Sequence, residues 1–352
     1  MTSLPLPSTM RKWSYTSAIP SLERNLNLST KSPLPISKPT EHLIRVLAVA
    51  LNPVDYKPAE APLLGRLLTR LNGPTTPGFD VAGSIIAPAS GSDLKTGTLV
   101  YGAASSNPLA GGGLADYIAV PATTVATIPP SLSPTLAAGF PVAALTAYAS
   151  LAPYIKPGHY VFLNGGSGGV GTFGIQIAKA LSAHVTVSCS GANTQLCRDL
   201  GANDVLDYTA RPLWHQLQEA VEKNGRSFDH VVDNVFSDPG LYFEAHTYTS
   251  ADAGFVEVAS GPSLAFLRFA LGAFLVPGFL GGGKRKFVLG MGDVRGEKLE
   301  ELRGWIEEGR VRTVVDGVWP MEKVVEAFGR LKTGRARGKV IVDVAGENEG
   351  KA

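Results

Sequence analysis

Residues 157–208 constrain the fold of this chain more than any other stretch. They contain the apolar, β-prone run 160–163, a glycine-rich turn, apolar residues at helical spacing from Phe173 to Leu181, and the apolar run 185–187. A short buried strand followed by a helix and a second strand is the pattern of a βαβ unit with parallel strands. The sequence therefore predicts a doubly wound α/β sheet built around this stretch.

The turn of this unit matches the G-x-G-x-x-G motif through Gly166, Gly168 and Gly171. Such glycines allow a tight turn, a close approach of the backbone to a pyrophosphate and close packing of the helix on the strand. The N–H groups at the helix start then face the anion. Because motif, strand and helix occur together, the turn predicts dinucleotide binding.

The same turn admits a second interpretation. Gly165, Ser167 and Gly169 spell G-x-S-x-G, which on a strand-to-helix turn is the nucleophile elbow of α/β-hydrolases. That mechanism needs an acid and then a histidine downstream of the serine. The last histidine, His246, leaves a long C-terminal tail and has no evident triad partner. We therefore favour a dinucleotide site, with Ser167 as part of the cofactor turn.

Composition limits the partners of the chain. Its 352 residues are enough for two domains. The formal net charge is +2 and the basic residues are dispersed, which gives no electrostatic case for nucleic acid. Its two cysteines, Cys189 and Cys197, cannot form a disulfide framework or a four-cysteine zinc site, and the six histidines lack metal-ligand spacing. The sequence predicts a small-molecule partner and no metal.

Two segments bear on location. Residues 1–13 lack the apolar core of a secretory signal and are short and proline-broken for a mitochondrial presequence. This predicts a cytoplasmic protein, with a mitochondrial location as the alternative. The apolar run 264–280 contains Arg268 and Pro277 and is too short for a membrane span, so we expect a buried helix or a lid and no stable membrane insertion. A monomer or a homodimer is expected.

The rest of the chain separates into two patterns. Before Pro129, short strand-like runs with glycine turns predict a partly open barrel, and the leucine-rich segment 63–71 suggests a short helix. After Tyr208, strands alternate with helices and continue the doubly wound sheet. The predicted strands of this sheet are 231–235, 255–258 and 287–289, and its predicted helices are 213–223 and 241–247. Beyond them the parallel-sheet pattern ends, and the predicted elements are the helices 298–307 and 322–331 and the strands 313–318 and 339–344. The last part, from about residue 294, is expected to return to the first lobe.

Seven motifs carry a resemblance to a known family. They are NPVDYK, PGFDVAG, GGLADYIAVP, FPVAALTAY, NGGSGGVG, LGANDVLDY and GRARGKVIV. Their order and spacing, over nearly the whole chain, resemble those of the medium-chain dehydrogenase/reductases. Within that superfamily the likeness is to the zinc-independent quinone-oxidoreductase and enoyl-reductase branch, and most of all to the reticulon-interacting oxidoreductase type.

The resemblance implies a fold and a domain order. The fold is a Rossmann doubly wound parallel sheet inserted into a GroES-like, partly open β-barrel domain. Residues 1–133 and 294–352 would form the GroES-like catalytic and substrate domain. Residues 134–293 would form the Rossmann dinucleotide-binding domain.

A departure from the zinc enzymes indicates the chemistry. Where zinc-dependent relatives carry G-H-E, this chain has Gly78, Phe79 and Asp80. Without a Lewis acid, alcohol oxidation loses its electrophile, whereas hydride addition to an enone gives an enolate that hydrogen bonds can stabilise. The resemblance thus implies an NAD(P)H-dependent reductase of activated C=C bonds or quinones. The alternatives are a trans-acting enoyl reductase of a polyketide or similar pathway and a non-catalytic NADPH-binding redox sensor.

The resemblance also assigns residues to the site. Asn52 and Asp55 would line the nicotinamide end, with Tyr56 and Lys57 as candidate proton donors. The cofactor would meet Thr146 at its carboxamide, Gly168, Gly169 and Val170 at its pyrophosphate, Asn234 and Val235 at a ribose, and Lys339 from the C-terminal return. Two structural alternatives stay open: Asp55 caps the helix that it begins, and Lys339 is a solvated edge residue.

The end of the second strand bears on cofactor choice. An NAD site usually ends this strand with an acid, and here the residues are Ser188, Cys189 and Ser190. We therefore expect NADPH, with NADH less favoured. The 2′-phosphate would contact Ser188, Ser190 and Asn193, with Tyr208 beside it; the basic residue common in the family is replaced by Ala192, and Arg198 is the nearest substitute. The basic loop 281–287 is either a solvated loop or a contact for an anionic carrier or coenzyme A.

Overall fold

The computed structural model describes residues 6–61, 65–67, 73–107, 111–258, 264–290 and 292–346. Most of the segment 63–71, predicted as a short helix, lies outside them. The chain divides into two compact units. The first unit comprises residues 1–142, 294–307 and 315–352, and the second comprises residues 143–293 and 308–314.

Strands and helices alternate through most of the described chain. The strands are β1 (Thr9–Ser14), β2 (Asn27–Pro33), β3 (Glu41–Leu51), β4 (Asp80–Ala87), β5 (Leu99–Ala103), β6 (Tyr117–Pro121), β7 (Val125–Thr127), β8 (Tyr160–Asn164), β9 (His184–Cys189), β10 (Asp204–Asp207), β11 (Phe228–Asp233), β12 (Thr249–Glu257), β13 (Lys286–Leu289), β14 (Val315–Pro320) and β15 (Lys339–Asp343). The helices are α1 (Lys57–Glu60), α2 (Pro134–Ala138), α3 (Pro141–Leu151), α4 (Gly169–Ala180), α5 (Thr194–Asp199), α6 (Leu213–Asn224), α7 (Gly240–Phe243), α8 (Leu264–Leu275), α9 (Gly296–Glu307) and α10 (Val324–Lys332).

The first unit is organised around β3. This strand is buried along most of its length, because it pairs with β4, β6 and β15. Its pairing with β4 shifts register twice, and such bulges bend a strand as a barrel requires. Within the described residues, this sheet has seven strands in the order β14-β15-β3-β4-β5-β7, with β6 also paired to β3.

The C-terminal part of the chain completes this sheet. Strand β15 lies antiparallel to β3, with Val340 opposite Leu51. Val340, Val342 and Phe328 belong to the same hydrophobic core as Ile44 and Val49 of β3. The predicted return of the C-terminus to the first lobe is confirmed.

The second unit is a six-stranded parallel sheet in the order β10-β9-β8-β11-β12-β13. Numbered from β8, this is the 3-2-1-4-5-6 order of the doubly wound dinucleotide fold. The strand order reverses between β8 and β11, and ligands of such sheets bind at the carboxyl ends of the strands at that point. The predicted Rossmann sheet is therefore confirmed. Its strand order predicts a ligand site at the residues that follow Asn164 and Asp233.

Helix α8 covers part of this unit, in a way that corrects one expectation. Phe269 is 4% exposed and packs edge-on against Tyr242 and Phe287. Leu271 and Phe274, however, are 48% and 58% exposed. Residues 264–280 do not form a buried helix, because apolar residues surround α8 while only one side of it meets the core. None of the described helices is long and apolar enough to cross a membrane.

Candidate active site

The glycine-rich turn follows the end of β8. Gly165 leaves the strand with φ of +80°, a left-handed conformation that glycine adopts without strain. Gly168 then precedes the first residue of α4 in an extended conformation. In the described chain no side chain caps this helix, so the N–H groups of its first turn are left for a ligand. These groups, with the helix dipole, favour an anion.

The three motif glycines are required for different reasons. A Cβ on Gly171 would lie 2.1 Å from the Gly165 carbonyl oxygen, and one on Gly166 would lie 2.8 Å from Cβ of Val187. The fold itself therefore requires glycine at both positions. A Cβ on Gly168 would meet nothing closer than 3.6 Å. The open space at Gly168 is of the kind that a pyrophosphate would occupy, so the turn fits the predicted cofactor.

Two asparagines beside the turn carry carbonyl oxygens without donors. Asn193 donates from Nδ2 to the Ser167 hydroxyl oxygen at 3.1 Å, and Asn234 donates from Nδ2 to the Asn164 carbonyl oxygen at 3.0 Å. Both Oδ1 atoms are buried and have no hydrogen-bond partner among the residues that the structure describes. A buried acceptor without a donor costs free energy, which a hydroxyl or amide of a ligand would recover. This second observation also fits a dinucleotide.

Ser167 has the partner of a structural residue. Its hydroxyl accepts from Asn193 rather than from a histidine. A nucleophile elbow requires a histidine base at this hydroxyl. The contact therefore gives no support to the hydrolase interpretation.

The predicted 2′-phosphate contacts differ in their exposure. Ser190 and Asn193 are partly buried, and Tyr208 is 55% exposed. Ser188 is fully buried, and its hydroxyl donates to Asn164 Oδ1 at 2.5 Å and accepts from the Gly165 N–H at 2.9 Å. Both functions of that hydroxyl are used inside the fold. Ser188 therefore belongs to the framework, and the expected phosphate contact is corrected in this respect.

A carboxylate lies near the same strand end. Asp207 ends β10, and a Cβ on Gly191 would lie 3.0 Å from its Oδ2. Hydrogen bonds from the Thr209 hydroxyl and N–H lower the pKa of Asp207, so it is anionic at neutral pH. The sequence analysis missed this residue because it ends the third strand, whereas NAD sites usually carry their acid at the end of the second.

The first unit holds a second group of polar residues, which is buried. Asp80 is 0% exposed, Lys339 2%, Asn52 4% and Asp55 5%. The Lys339 ammonium donates to Asn52 Oδ1 and lies 3.3 Å from Asp80 Oδ2. Asn52 Nδ2 donates to the same Asp80 oxygen at 2.8 Å. We call these four residues the ionic cluster.

Asp80 occupies the centre of the ionic cluster. Its other oxygen accepts from the Val142 N–H at 3.0 Å. Burial raises the pKa of Asp80, while the ammonium of Lys339 acts in the opposite direction. The alternative of Lys339 as a solvated edge residue is wrong, because its charge is buried against this carboxylate. Sequence analysis noted Asp80 only as a missing zinc ligand and did not predict its pairing.

Asp55 fastens the turn that follows β3. It accepts from the Asn52 N–H at 2.7 Å through one oxygen and from the Phe79 N–H at 2.8 Å through the other. The first contact is that of a residue capping a short 3-10 helix, Pro53–Asp55. Burial raises the pKa of Asp55 to about 7, and nearby Asp80 adds to the shift. Asp55 forms a capping box with the N-cap residue Asn52, but it ends this helix rather than beginning it, so the alternative that Asp55 caps the helix it begins is corrected. Its part in catalysis stays a prediction.

Three further predicted residues occupy different surroundings. Tyr56 packs against the core of the first unit, and burial raises the pKa of its hydroxyl. The centroid of its ring lies 5.2 Å from Lys332 Nζ. Lys57 begins α1 and is partly buried. Thr146 lies on α3 and is 5% exposed; a Cβ on Gly292 would lie 2.6 Å from its Oγ1.

The basic loop 281–287 lies away from the dinucleotide turn. It leads into the amino end of β13, whereas the turn follows the carboxyl end of β8 in the same parallel sheet. Arg285 donates to the Thr249 hydroxyl at 2.9 Å and to the carbonyl oxygens of Thr249 and His246. The contacts of Arg285 hold the loop and the start of β12 together. They favour a structural role over contact with an anionic carrier at the cofactor.

Sheet order, glycine turn and partnerless carbonyl oxygens together define a dinucleotide-binding α/β protein. Comparison with known proteins agrees. A family model described as an alcohol dehydrogenase GroES-like domain matches residues 38–130, and one described as a zinc-binding dehydrogenase matches residues 200–342. Among the residues that the structure describes, no group of three or more His, Cys, Asp or Glu side chains is arranged to hold a metal ion.

Individual relatives are similar over nearly the whole chain. A trans-enoyl reductase of Aspergillus terreus is 42% identical over 356 residues, which cover 96% of this chain and 97% of that protein. The 2-methylene-furan-3-one reductase of Solanum lycopersicum is 35% identical, with coverage of 97% and 81%. The structure of the quinone oxidoreductase from Coxiella burnetii matches with a TM-score of 0.80 and 25% identity, over 95% and 99% of the two chains. The chain belongs to the medium-chain dehydrogenase/reductase superfamily of NAD(P)H-dependent oxidoreductases, in its quinone-oxidoreductase and enoyl-reductase branch.

Proposed function

We propose that this protein reduces the activated C=C bond of α,β-unsaturated carbonyls or quinones with NADPH and without zinc. The ionic cluster carries the proposal. Asp80 stands where zinc-dependent relatives carry the acid of G-H-E, and its carboxylate is neutralised by Lys339 and bound by Asn52. Phe79 replaces the histidine and offers no metal ligand. A carboxylate committed to an ammonium in this way is a poor zinc ligand, which favours a reaction that needs no Lewis acid.

The cofactor would be held by residues of the second unit. The first-turn N–H groups of α4, with Gly168, Gly169 and Val170, would bind the pyrophosphate. The free carbonyl oxygens of Asn193 and Asn234 would accept hydrogen bonds from the cofactor, and Val235 and Thr146 would contact its nicotinamide half. Bound there, NADPH supplies the hydride for the β-carbon of the substrate.

Residues of the first unit would complete the reaction. Hydride addition to a conjugated carbonyl develops negative charge on oxygen, and a hydrogen-bond donor stabilises that charge. We propose Tyr56 or Lys57 as this donor and as the source of the proton. Asn52, Asp55 and Lys339 would shape the nicotinamide end. Loss of such a donor costs about 3 kcal/mol, so Tyr56→Phe or Lys57→Met should slow turnover about a hundredfold if the altered residue is the donor.

The preference for NADPH rests on the end of β9. No acid follows this strand, and Ser190, Asn193 and Tyr208 offer neutral hydrogen-bonding groups for a 2′-phosphate. Titration of the protein with each cofactor at moderate salt should give tighter binding of NADPH. Tighter binding of NADH by more than a few-fold would contradict this preference and would assign the ribose contact to Asp207.

The function is tested by oxidation of NADPH in the presence of a panel of enones, quinones and enoyl thioesters. We expect turnover with enones or quinones, unchanged after dialysis against a chelator. Binding of NADPH with no turnover on any member of the panel would favour the redox sensor. Activity that disappears on chelation and returns with zinc would contradict the zinc-free mechanism.

A trans-acting enoyl reductase is the second candidate. The observation that favours it is the 42% identity to the trans-enoyl reductase of Aspergillus terreus over 96% of the chain. Such an enzyme should reduce carrier-bound enoyl chains faster than free enones of equal length. We also propose a cytoplasmic location and a monomeric or homodimeric state, which subcellular fractionation and light scattering test. The domain limits proposed from the sequence are 133/134 and 293/294, whereas the compact units divide first at 142/143 and include residues 308–314 in the second unit. Limited proteolysis tests which first limit holds.

A further inference from the structure

We propose that Asn164, Ser188 and Asp233 are positioning residues for the dinucleotide, because they form a hydrogen-bond chain that holds both halves of its site. This inference rests on the proposed cofactor role of the second unit. None of the three residues needs to touch the cofactor. They act through the turn after β8 and through the loop after β11.

This hydrogen-bond chain crosses the carboxyl ends of β9, β8 and β11, which are neighbours in the sheet. The Gly165 N–H donates to the Ser188 hydroxyl oxygen at 2.9 Å, and the Ser188 hydroxyl donates to Asn164 Oδ1 at 2.5 Å. Asn164 Nδ2 then donates to Asp233 Oδ1 at 2.7 Å. Ser188, Asn164 and Asp233 are 0%, 3% and 2% exposed. Water therefore cannot easily replace any of these bonds.

The two ends of the hydrogen-bond chain fix which group donates and which accepts at each step. A backbone N–H can only donate, and Asp233 Oδ1 acts as an acceptor because two backbone N–H groups donate to it. The side chain of Asn164 must therefore turn its NH₂ group to Asp233 and its Oδ1 to Ser188. Ser188 must then donate to that oxygen, and its lone pair is left for Gly165. One arrangement satisfies every member, which is the condition under which a buried polar network makes a structure rigid.

Two members of the hydrogen-bond chain lie at strand ends. Asn164 and Asp233 are the last paired residues of β8 and β11. Beyond them, Asp233 Oδ1 accepts from the Val235 and Phe236 N–H groups at 2.9 and 3.1 Å, and Phe236 adopts φ of +54°. The Asn164 carbonyl oxygen accepts from Asn234 Nδ2. The same three residues thus hold the glycine turn on one side and the segment 234–236 on the other.

The test compares cofactor affinity in variants of the full chain. Ser188→Ala removes the hydrogen-bond partner of the Gly165 N–H and of Asn164 Oδ1. We expect the Kd for NADPH, measured by fluorescence titration, to rise about tenfold or more. Thr186→Val is the matched control, since it removes a buried hydroxyl from the same strand, two residues from Ser188, and should leave the Kd unchanged. The KM for NADPH should rise with the Kd, while the KM for an enone should change less than twofold.

A conservative pair separates positioning from general loss of stability. Asp233→Asn keeps a carbonyl acceptor for Asn164 and should bind NADPH more tightly than Asp233→Ala by about fivefold or more. Equal affinity of folded Ser188→Ala, Thr186→Val and wild-type proteins would overturn the inference. If Ser188→Ala does not fold, equal affinity of the two Asp233 variants would overturn it. If the wild-type chain binds neither NADPH nor NADH, the proposed function fails first, so the two failures are distinguishable.

Discussion

The glycine turn of the second unit and the ionic cluster of the first unit are built by different means. The turn is a continuous stretch of backbone, supported by uncharged side chains and one carboxylate at the ends of adjacent parallel strands. The ionic cluster joins side chains from three distant segments, at Asn52, Asp80 and Lys339, and depends on buried charge. A backbone site can be recognised from local sequence, whereas a charged side-chain site exists only after the whole lobe has folded. The two sites should therefore fail differently when they are altered.

Removing one charge should damage the ionic cluster most. Lys339→Met leaves Asp80 buried without its partner, which typically costs 3–5 kcal/mol. We expect the free energy of unfolding, measured with urea, to fall by about that amount. Lys38→Met is the control, since Lys38 is 78% exposed and pairs only loosely with Glu41. Adding Asp80→Asn to Lys339→Met should restore part of the loss. If Lys339→Met were as stable as the wild-type protein, the ion pair of Lys339 with Asp80 would not stabilise the fold.

Acidity should also distinguish the ionic cluster. Burial raises the pKa of Asp55 from 3.8 to about 7, so the folded state binds this proton more tightly than the unfolded chain. The contribution of Asp55 to stability is therefore complete below about pH 4 and is lost as the pH rises through about 7. The full change is about 4 kcal/mol. Urea unfolding between pH 4 and 8 should show this decline in the wild-type protein and a smaller one in Asp55→Asn.

A second carboxylate provides the opposite sign as a control. Hydrogen bonds from Arg330 lower the pKa of Asp316, so its stabilising contribution is present above about pH 4 and is lost as the pH falls further. Asp316→Asn should therefore leave the decline between pH 4 and 8 in place. An identical pH dependence of wild-type and Asp55→Asn proteins would refute the assignment of that decline to Asp55.

The glycine turn should show a smaller and more selective response. Gly168→Asp places a carboxylate in space that is open in the fold, so the melting temperature should change little while the Kd for NADPH rises at least tenfold, about 1.4 kcal/mol. Gly171→Ala forces a methyl group against the Gly165 carbonyl and should lower both stability and affinity. Retained affinity in folded Gly168→Asp would separate this turn from cofactor binding.

Local patterns predicted most of the second unit. The strand predicted at 160–163 is β8, and the helix predicted at 213–223 is α6. The strand predicted at 231–235 ends instead at Asp233, because the Asp233 side chain takes the N–H groups of Val235 and Phe236 out of the ladder. The segment 241–247, predicted as one helix, is α7 followed by a 3-10 turn, Ala245–Thr247.

Side-chain partners were harder to predict, for a physical reason. Ser188 has the right residue type and position for a phosphate contact, yet its hydroxyl is bound by Asn164 and Gly165, which belong to the neighbouring strand β8 and the turn after it. Lys339 and Asp80 are far apart in the sequence. They meet because β15 and β4 both pair with β3. A local contact of Asp55 could be foreseen because its first partner, Asn52, is three residues away, although Asp55 ends the short helix instead of beginning one.

We propose that hydride adds to the conjugated carbon of the substrate without a metal. The decisive experiment is the reaction of an enone with NADPH deuterated at nicotinamide C4, in the presence of a chelator, followed by analysis of the product. We expect a saturated ketone that carries deuterium at the β-carbon. An allylic alcohol with deuterium at the former carbonyl carbon would refute metal-free conjugate reduction.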